Sequence, residues 1–434
     1  MSFNRPFLGL SNHGFTMKQA ILALLLTALP PLAALAQRNE VKSARVATLQ
    51  VTAGNNWQDI PLITLGQETP IVIAFDDLTH DYHRYTYRLE HCEADWSVSE
   101  ELFASDYCAG FAEGNTIDDY SPSVNTNQLY THYRLQIPND RCRLKMSGNY
   151  KVTVYDEDAG NSEMLTACFM VVEPQMKVGM AVTTNTDRDL NGRHQQVAMT
   201  VGYGNLRVTN PVTQVKTVVM QNGRWDNAVV NSKPQYVMND GLRWDHNRDF
   251  IFNAGNEYHK FEMLDMNHTT LGLESLDWDG QMYHARVWTD EPRPSYIYDE
   301  DADGAFCIRN SDNDGNDVLS EYAMVHFRLK SPQLPGEVYL NGAWTNDRML
   351  PPYRMQWDDA QQIYEGAVWL KQGYYSYQYL LLQADGTTVP VPSEGNFYQT
   401  ENRYQALVYF REAGGRTDRL VGYGQCRANS QPNH

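Results

Sequence analysis

His91, Cys92 and Asp95 are the first residues whose types could do chemistry, standing together in His91-Cys92-Glu93-Ala94-Asp95-Trp96. A thiolate beside an imidazole is a nucleophile. Adjacent residues of a strand, however, project to opposite faces, and Cys is often a buried packing residue. The run therefore reads as structural. Asp299-x-Asp301-x-Asp303-Gly304 repeats the opening half of a calcium loop, but its twelfth position, where a bidentate Glu belongs, is Asn310. Asp312-x-Asp314-Gly315-x-Asp317 is a second carboxylate-rich turn. Asp-Gly is also the chemistry of tight hairpins. Plain turns are expected, with Asp299, Asp301 and Asp303 kept as calcium candidates that would stiffen a loop. His80-x-x-His83 lacks a third ligand at helical spacing and reads as solvated surface. No nucleophile-elbow, zinc-protease or phosphate-loop motif occurs. The residues name no catalytic group, no cofactor beyond that calcium and no small-molecule substrate. The expected class is a non-enzymatic protein that binds a partner.

The elements that must position these residues are strands. The chain has 434 residues, with 27 Tyr and 9 Trp, and aromatic and β-branched residues pack best across a pleated surface. Lys and Arg total 35 against 53 Asp and Glu, a formal charge of -18. Nucleic-acid and polybasic membrane-surface roles need clustered positive charge and are disfavoured. From Met17 the chain reads as a secretory signal peptide: Lys18, an apolar run Ala20–Leu29, and the small-x-small site Ala34-Leu35-Ala36. Residues 1–36 are expected to be removed, Met17 is an alternative start, and no Cys follows the cleavage site to carry a lipid anchor. No other stretch reaches the ~20 apolar residues of a membrane helix. All six Cys, at 92, 108, 142, 168, 307 and 426, lie after the signal, where export permits disulfides. Their odd spacings fit buried thiols with at most one bridge, and Cys108–Cys142 is the first pairing to expect.

Alternating polarity marks strands at 44–52, 69–75, 85–92, 130–137, 149–155 and 164–172. Short strands broken by Gly, Asn, Asp and Pro suggest a sandwich of immunoglobulin type. Helix is minimal, one or two turns at 97–107, where Ser97-x-x-Glu100 would form a capping box. Val172-Glu173-Pro174 closes the first unit, since Pro interrupts a ladder. The fold expected is all-β, a tandem of immunoglobulin-like and early-set β-sandwiches: 37–174, 175–318 and 319–420, with a flexible tail at 421–434.

An ordered set of short motifs runs through nearly the whole chain. Phe75-Asp76-Asp77-Leu78 comes first, then His91, Cys92 and Trp96, Ser123-x-Asn125-Thr126, and Gly148-Asn149-Tyr150. Gln221-Asn222-Gly223-Arg224-Trp225, Gly255-Asn256-Glu257, Gly373-Tyr374 and Thr400-Glu401-Asn402 follow. In this order they resemble the plug protein family of the type IX secretion system. The resemblance implies a periplasmic subunit, peripheral to the outer membrane, that closes the giant translocon β-barrel from the periplasmic side. Many-stranded outer-membrane barrels are commonly plugged by folded material. The extra cysteines leave the disulfide state open.

The third unit raises a competing reading. Val338-Tyr339-Leu340-Asn341-Gly342-x-Trp344 and Gly373-Tyr374-Tyr375-x-Tyr377 resemble early-set modules that accompany starch and glycogen enzymes. There Trp344, Trp357 and Trp369 would form a sugar-stacking platform, making the chain an exported carbohydrate-binding protein. Tyr and Trp alternating on strands also build cores, and a shared fold does not carry function.

Overall fold

The computed structural model describes residues 39–429, and the export signal expected at 1–36 lies outside them. The protein is all-β, as the alternation implies. Thr131–Ile137, for example, strictly alternates buried with half-buried side chains, the pattern of a strand with one face on a core. The helices among the described residues are single turns. One is Ala104–Tyr107, and the Asp106 carboxylate, not Ser97 or Glu100, accepts the Phe103 amide at its start. No helix among the described residues is long and apolar enough to cross a membrane.

Three hydrophobic cores organise the described chain. In the first lobe, strands Ser162–Val172, Gly148–Asp156 and Tyr85–Cys92 face a sheet of Val46–Ala53, Ile71–Asp77 and Thr131–Ile137. Ile71, Ile73, Phe75, Leu89, Val152 and Phe169 are completely buried between them.

The other lobes are not consecutive, which corrects the division at 318, and residues 421–427 of the expected flexible tail are strand. Strand Val215–Gln221 pairs antiparallel with Arg403–Phe410, and that strand pairs with Arg419–Arg427. This sheet shares a core with Lys177–Thr183 and His194–Gly202. The second lobe is thus made from both ends of the remaining chain, with the third nested inside it. Strand Arg419–Arg427 is ordered because Leu420 and Val421 are buried and because Gly422 and Gly424 let Val178 approach. A Cβ on either glycine would come within 2.8 or 2.7 Å of the Val178 side chain. In the third lobe, His259–Met263, Gly373–Leu382 and Glu337–Asn341 pack over Tyr283–Val287, Tyr322–Lys330 and Ile363–Lys371. The described residues all belong to a single compact unit, so the joints between lobes are part of one body.

Candidate functional site

The conspicuous polar chemistry lies where the lobes meet. At the joint of the first and second lobes, the His91–Trp96 run turns out of its strand. The Asp418 carboxylate accepts from the Ala94 amide at 3.1 Å, Lys216 Nζ at 2.8 Å and Arg411 Nε at 3.0 Å. Glu93 accepts from the Asp418 amide at 2.8 Å and from Arg411 Nη2 at 2.5 Å. His91 Nδ1 lies 2.9 Å from Ser99 Oγ, which lies 2.9 Å from Thr417 Oγ1 in the second lobe, and His91 Nε2 donates to the Ser147 carbonyl at 3.1 Å. Gly148 is required here: at φ 146° its Cβ would fall 2.2 Å from His91 Nε2. Tyr150 stands edge-on to the His91 ring at 5.1 Å, and Trp96 edge-on to Trp225 at 5.5 Å.

His91 and Cys92 make no reacting pair. Burial pushes the His91 imidazole down to about 4 and the Cys92 thiol up to about 12. Neither is poised for acid–base or nucleophilic work near neutral pH.

The joint of the first and third lobes is drier. Asp76 Oδ2 accepts from Lys371 Nζ at 2.6 Å and Tyr322 OH at 2.7 Å, while His132 Nδ1 lies 2.7 Å from Oδ1. Lys371 Nζ also donates to the Asp317 carbonyl at 2.7 Å and sits 4.0 Å over the Tyr130 ring, a cation–π contact. Burial alone would raise the Asp76 carboxyl, but Lys371 and His132 hold it below the usual carboxylate range. Burial lowers Lys371, and Asp76 opposes that. Glu321 receives the Gln128 amide at 3.1 Å, close to the turn where Asn125 adopts φ 58°.

Side-chain amides hold the turns where the chain passes between the second and third lobes. Asn222 Nδ2 donates to Asn402 Oδ1 at 2.8 Å, and Asn222 with Gly223 takes the positive φ that this dipeptide tolerates. Gln221 Nε2 reaches the Asn253 carbonyl at 2.9 Å, Asn256 Nδ2 the Glu394 carbonyl at 2.8 Å, and Thr400 Oγ1 the Gly255 carbonyl at 3.0 Å. Glu257 accepts from Tyr296 OH at 2.5 Å, yet burial still pushes its carboxyl up to about 7. Gly373 admits the Cys307 carbonyl, which a Cβ would meet at 2.3 Å, and Tyr374 packs 5.8 Å from Trp57. A cavity of about 150 Å³ opens at the junction of all three lobes, lined among others by Trp57, Trp96, Trp225, Arg224, Tyr258 and Arg403.

The motif residues thus converge on turns and joints, spread across the molecule. The acidic loop does not gather its carboxylates around a vacant centre. Asp299 pairs with Lys260 at 2.6 Å, Asp301 accepts the Tyr258 and Asp303 amides, and Asp303 faces Arg403 at 3.6 Å and Arg427 at 3.8 Å. A grouping that the spacing hid is His83 with Asp156 and Asp158. His83 Nδ1 lies 3.3 Å from Asp156, which also pairs with Arg45, so His83 is not free surface. The sugar platform is not formed. Trp344 is buried between Phe327 and Tyr375 with Nε1 donating to the Ser376 carbonyl, while Trp357 and Trp369 lie half-buried against Tyr364 and Tyr322. Cys108 and Cys142 place their sulfurs 3.0 Å apart.

Comparison with known proteins gives this architecture relatives. Residues 46–173 match the family described as Type 9 secretion system plug protein 1st domain. The crystal structure of a hypothetical protein from Parabacteroides merdae ATCC 43184 is 40% identical, spans 90% of this chain and 99% of its own, and superposes with a TM-score of 0.87. No curated protein matches.

Proposed function

We propose, for a chain that belongs to the type IX secretion system plug protein family, that it is the non-enzymatic subunit closing the periplasmic side of the outer-membrane translocon barrel. Family membership already places it in type IX secretion and at the cell envelope. The observation that supports the finer reading is the set of joints. Buried charges and amides tie the three lobes into one body, with the Asp76–Lys371 pair almost wholly removed from water. A stopper for a wide aqueous lumen must resist deformation, and a body whose lobes cannot hinge freely does so better than beads on a linker. Reversible release needs only a moderate contact, roughly 1,600 Å² with a few anchoring side chains. Carbohydrate binding through the third lobe loses its support with Trp344 inside the core.

The test is copurification. Translocon particles isolated from cells starved of cargo should carry this chain in stoichiometric amount, and deleting it should admit large antibiotics through an assembled translocon. Particles without the chain, together with unchanged permeability, would sink the proposal.

A further inference from the structure

Cys108 and Cys142 belong to neither large sheet of the first lobe. They lie on the three-residue strands Cys108–Gly110 and Cys142–Leu144, which form a two-stranded ribbon with Cys142 opposite Gly110 and Leu144 opposite Cys108. Strands this short do not hold together by their ladder alone. The approach is nonetheless built in. Gly110, at φ 108°, takes no Cβ, which would meet the Arg141 carbonyl oxygen at 2.1 Å. The Asn139 side chain holds the facing turn by accepting the Arg141 and Cys142 amides, both at 2.9 Å. Both sulfurs are buried in the first core, beside Tyr107 and Tyr150. Just outside, Phe103 and Phe111 flank the first strand of the ribbon and stand 75% and 70% exposed.

We propose that Cys108 and Cys142 are oxidised to a disulfide in the exported protein, and that this bond locks the ribbon carrying the exposed Phe103 and Phe111. The step needs an oxidant, here the disulfide of an envelope thiol–disulfide oxidoreductase, or oxidised glutathione in vitro. The Cys108 thiolate attacks that disulfide, forming a mixed disulfide and releasing one oxidant sulfur as a thiolate. Cys142 then loses its proton and attacks the Cys108 sulfur, and the second oxidant sulfur leaves. The pair loses two protons and two electrons, and the oxidant is reduced to two thiols. Cys108 is the attacking group, since its contact with Cys142 pushes its own thiol down and that of Cys142 up. Burial then shields the finished bond until the ribbon opens.

A Glu-specific protease places Cys92, Cys108 and Cys142 on separate peptides, the last two being Leu102–Glu113 and Gly114–Glu157. Full chain from the envelope, acid-quenched, unfolded and alkylated, should yield these two as one linked species, separating only after reduction. The purified mature chain refolded in oxidised glutathione should give the same linkage, whether or not it closes a translocon. Both thiols alkylating before reduction, or either linking to another cysteine, would overturn the proposal. Limited proteolysis reads the lock itself. In the Cys108→Ser/Cys142→Ser variant, cleavage between Ser97 and Asp119 should accelerate on the order of 100-fold while the rest of the chain stays resistant. Should that variant not fold, the wild-type chain reduced by dithiothreitol in mild denaturant supplies the comparison. Equal cleavage rates of oxidised and reduced ribbon would show that the bond locks nothing.

Discussion

The first lobe is fastened by two joints built on opposite principles. Against the third lobe it uses an ion pair with side chains only 1% and 0% exposed, Asp76 and Lys371, every contact of which is made inside the protein. Against the second it uses a neutral histidine and a looser network in which Arg411 keeps 34% of its side chain in water. An ion pair in a dry interior is costly to assemble but costlier to leave half-made, whereas exposed pairs contribute little each. The difference suggests that the Asp76 joint behaves as a fixed weld and the His91 joint as a fastening that responds to solution conditions. Under the proposed plug role, which asks for a rigid body that lets go of its partner, the second joint is where conditions can act.

The sharpest way to break this contrast is Lys371→Met. It strands the Asp76 carboxylate with His132 and Tyr322 as its remaining partners. Stability should fall by about 3–5 kcal/mol, read from urea or thermal unfolding. Adding Asp76→Asn should restore much of the loss, because the pair rather than the charge is what the interior tolerates. A loss below about 1 kcal/mol would mean that water reaches the joint and that the weld does not exist.

Acid should separate the two joints. His91 sits at about 4 in the folded chain, below its ordinary 6.5. Its contribution is therefore complete above 6.5 and is lost as pH falls from there through 4, amounting to about 3 kcal/mol. Asp76, also depressed, contributes above the ordinary carboxylate value and yields only at more acid pH. Glu257, raised to about 7, works against the His91 slope, since its protonation relieves a burial cost in the same window. The clean measurement is a difference: wild type minus His91→Asn, unfolded at a series of pH values. The difference should shrink by about 3 kcal/mol between pH 6.5 and 4; a flat difference would put His91 in contact with water.

Strand content was legible in the sequence because period-two burial leaves its mark wherever a sheet has one wet face, as in Thr131–Ile137. The order of lobes was not. Arg403–Phe410 is buried on both faces from end to end, so it carries no alternation that would assign it to a neighbour, and its partner Val215–Gln221 lies far upstream. Trp344 shows the same limit: a Tyr- and Trp-rich strand pattern fits an exposed platform and a core equally, and only the packing of Phe327 and Tyr375 decides. The motif residues were visible as a set, yet their role at joints was hidden, because Asp418, Thr417 and Lys371 answer them from more than two hundred residues away. The separation of His91 from Cys92 was accessible, since it follows from local strand geometry, whereas the approach of Cys108 to Cys142 comes from strands paired across a long intervening stretch, which no spacing fixes.

The smallest expected effect probes how closely the His91 joint is fitted. Gly148→Ala places a methyl 2.2 Å from His91 Nε2 at a backbone φ of 146°, where L side chains are strained. Gly114, at φ 79° with open space around it, supplies the control. Gly114→Ala should cost roughly 1 kcal/mol of backbone strain, and Gly148→Ala about 1–2 kcal/mol more, the excess measuring displacement of the imidazole. The displaced ring would gain water, relieving the burial that lowers it most, and this outweighs the loss of the Ser147 carbonyl bond that raises it, so its pKa should rise toward the ordinary value. The Gly148→Ala chain should then keep more of its stability between pH 6.5 and 4 than wild type does. Equal costs for the two alanines, with the acid slope unchanged, would show the ring already free to move, and the two joints would differ in charge alone.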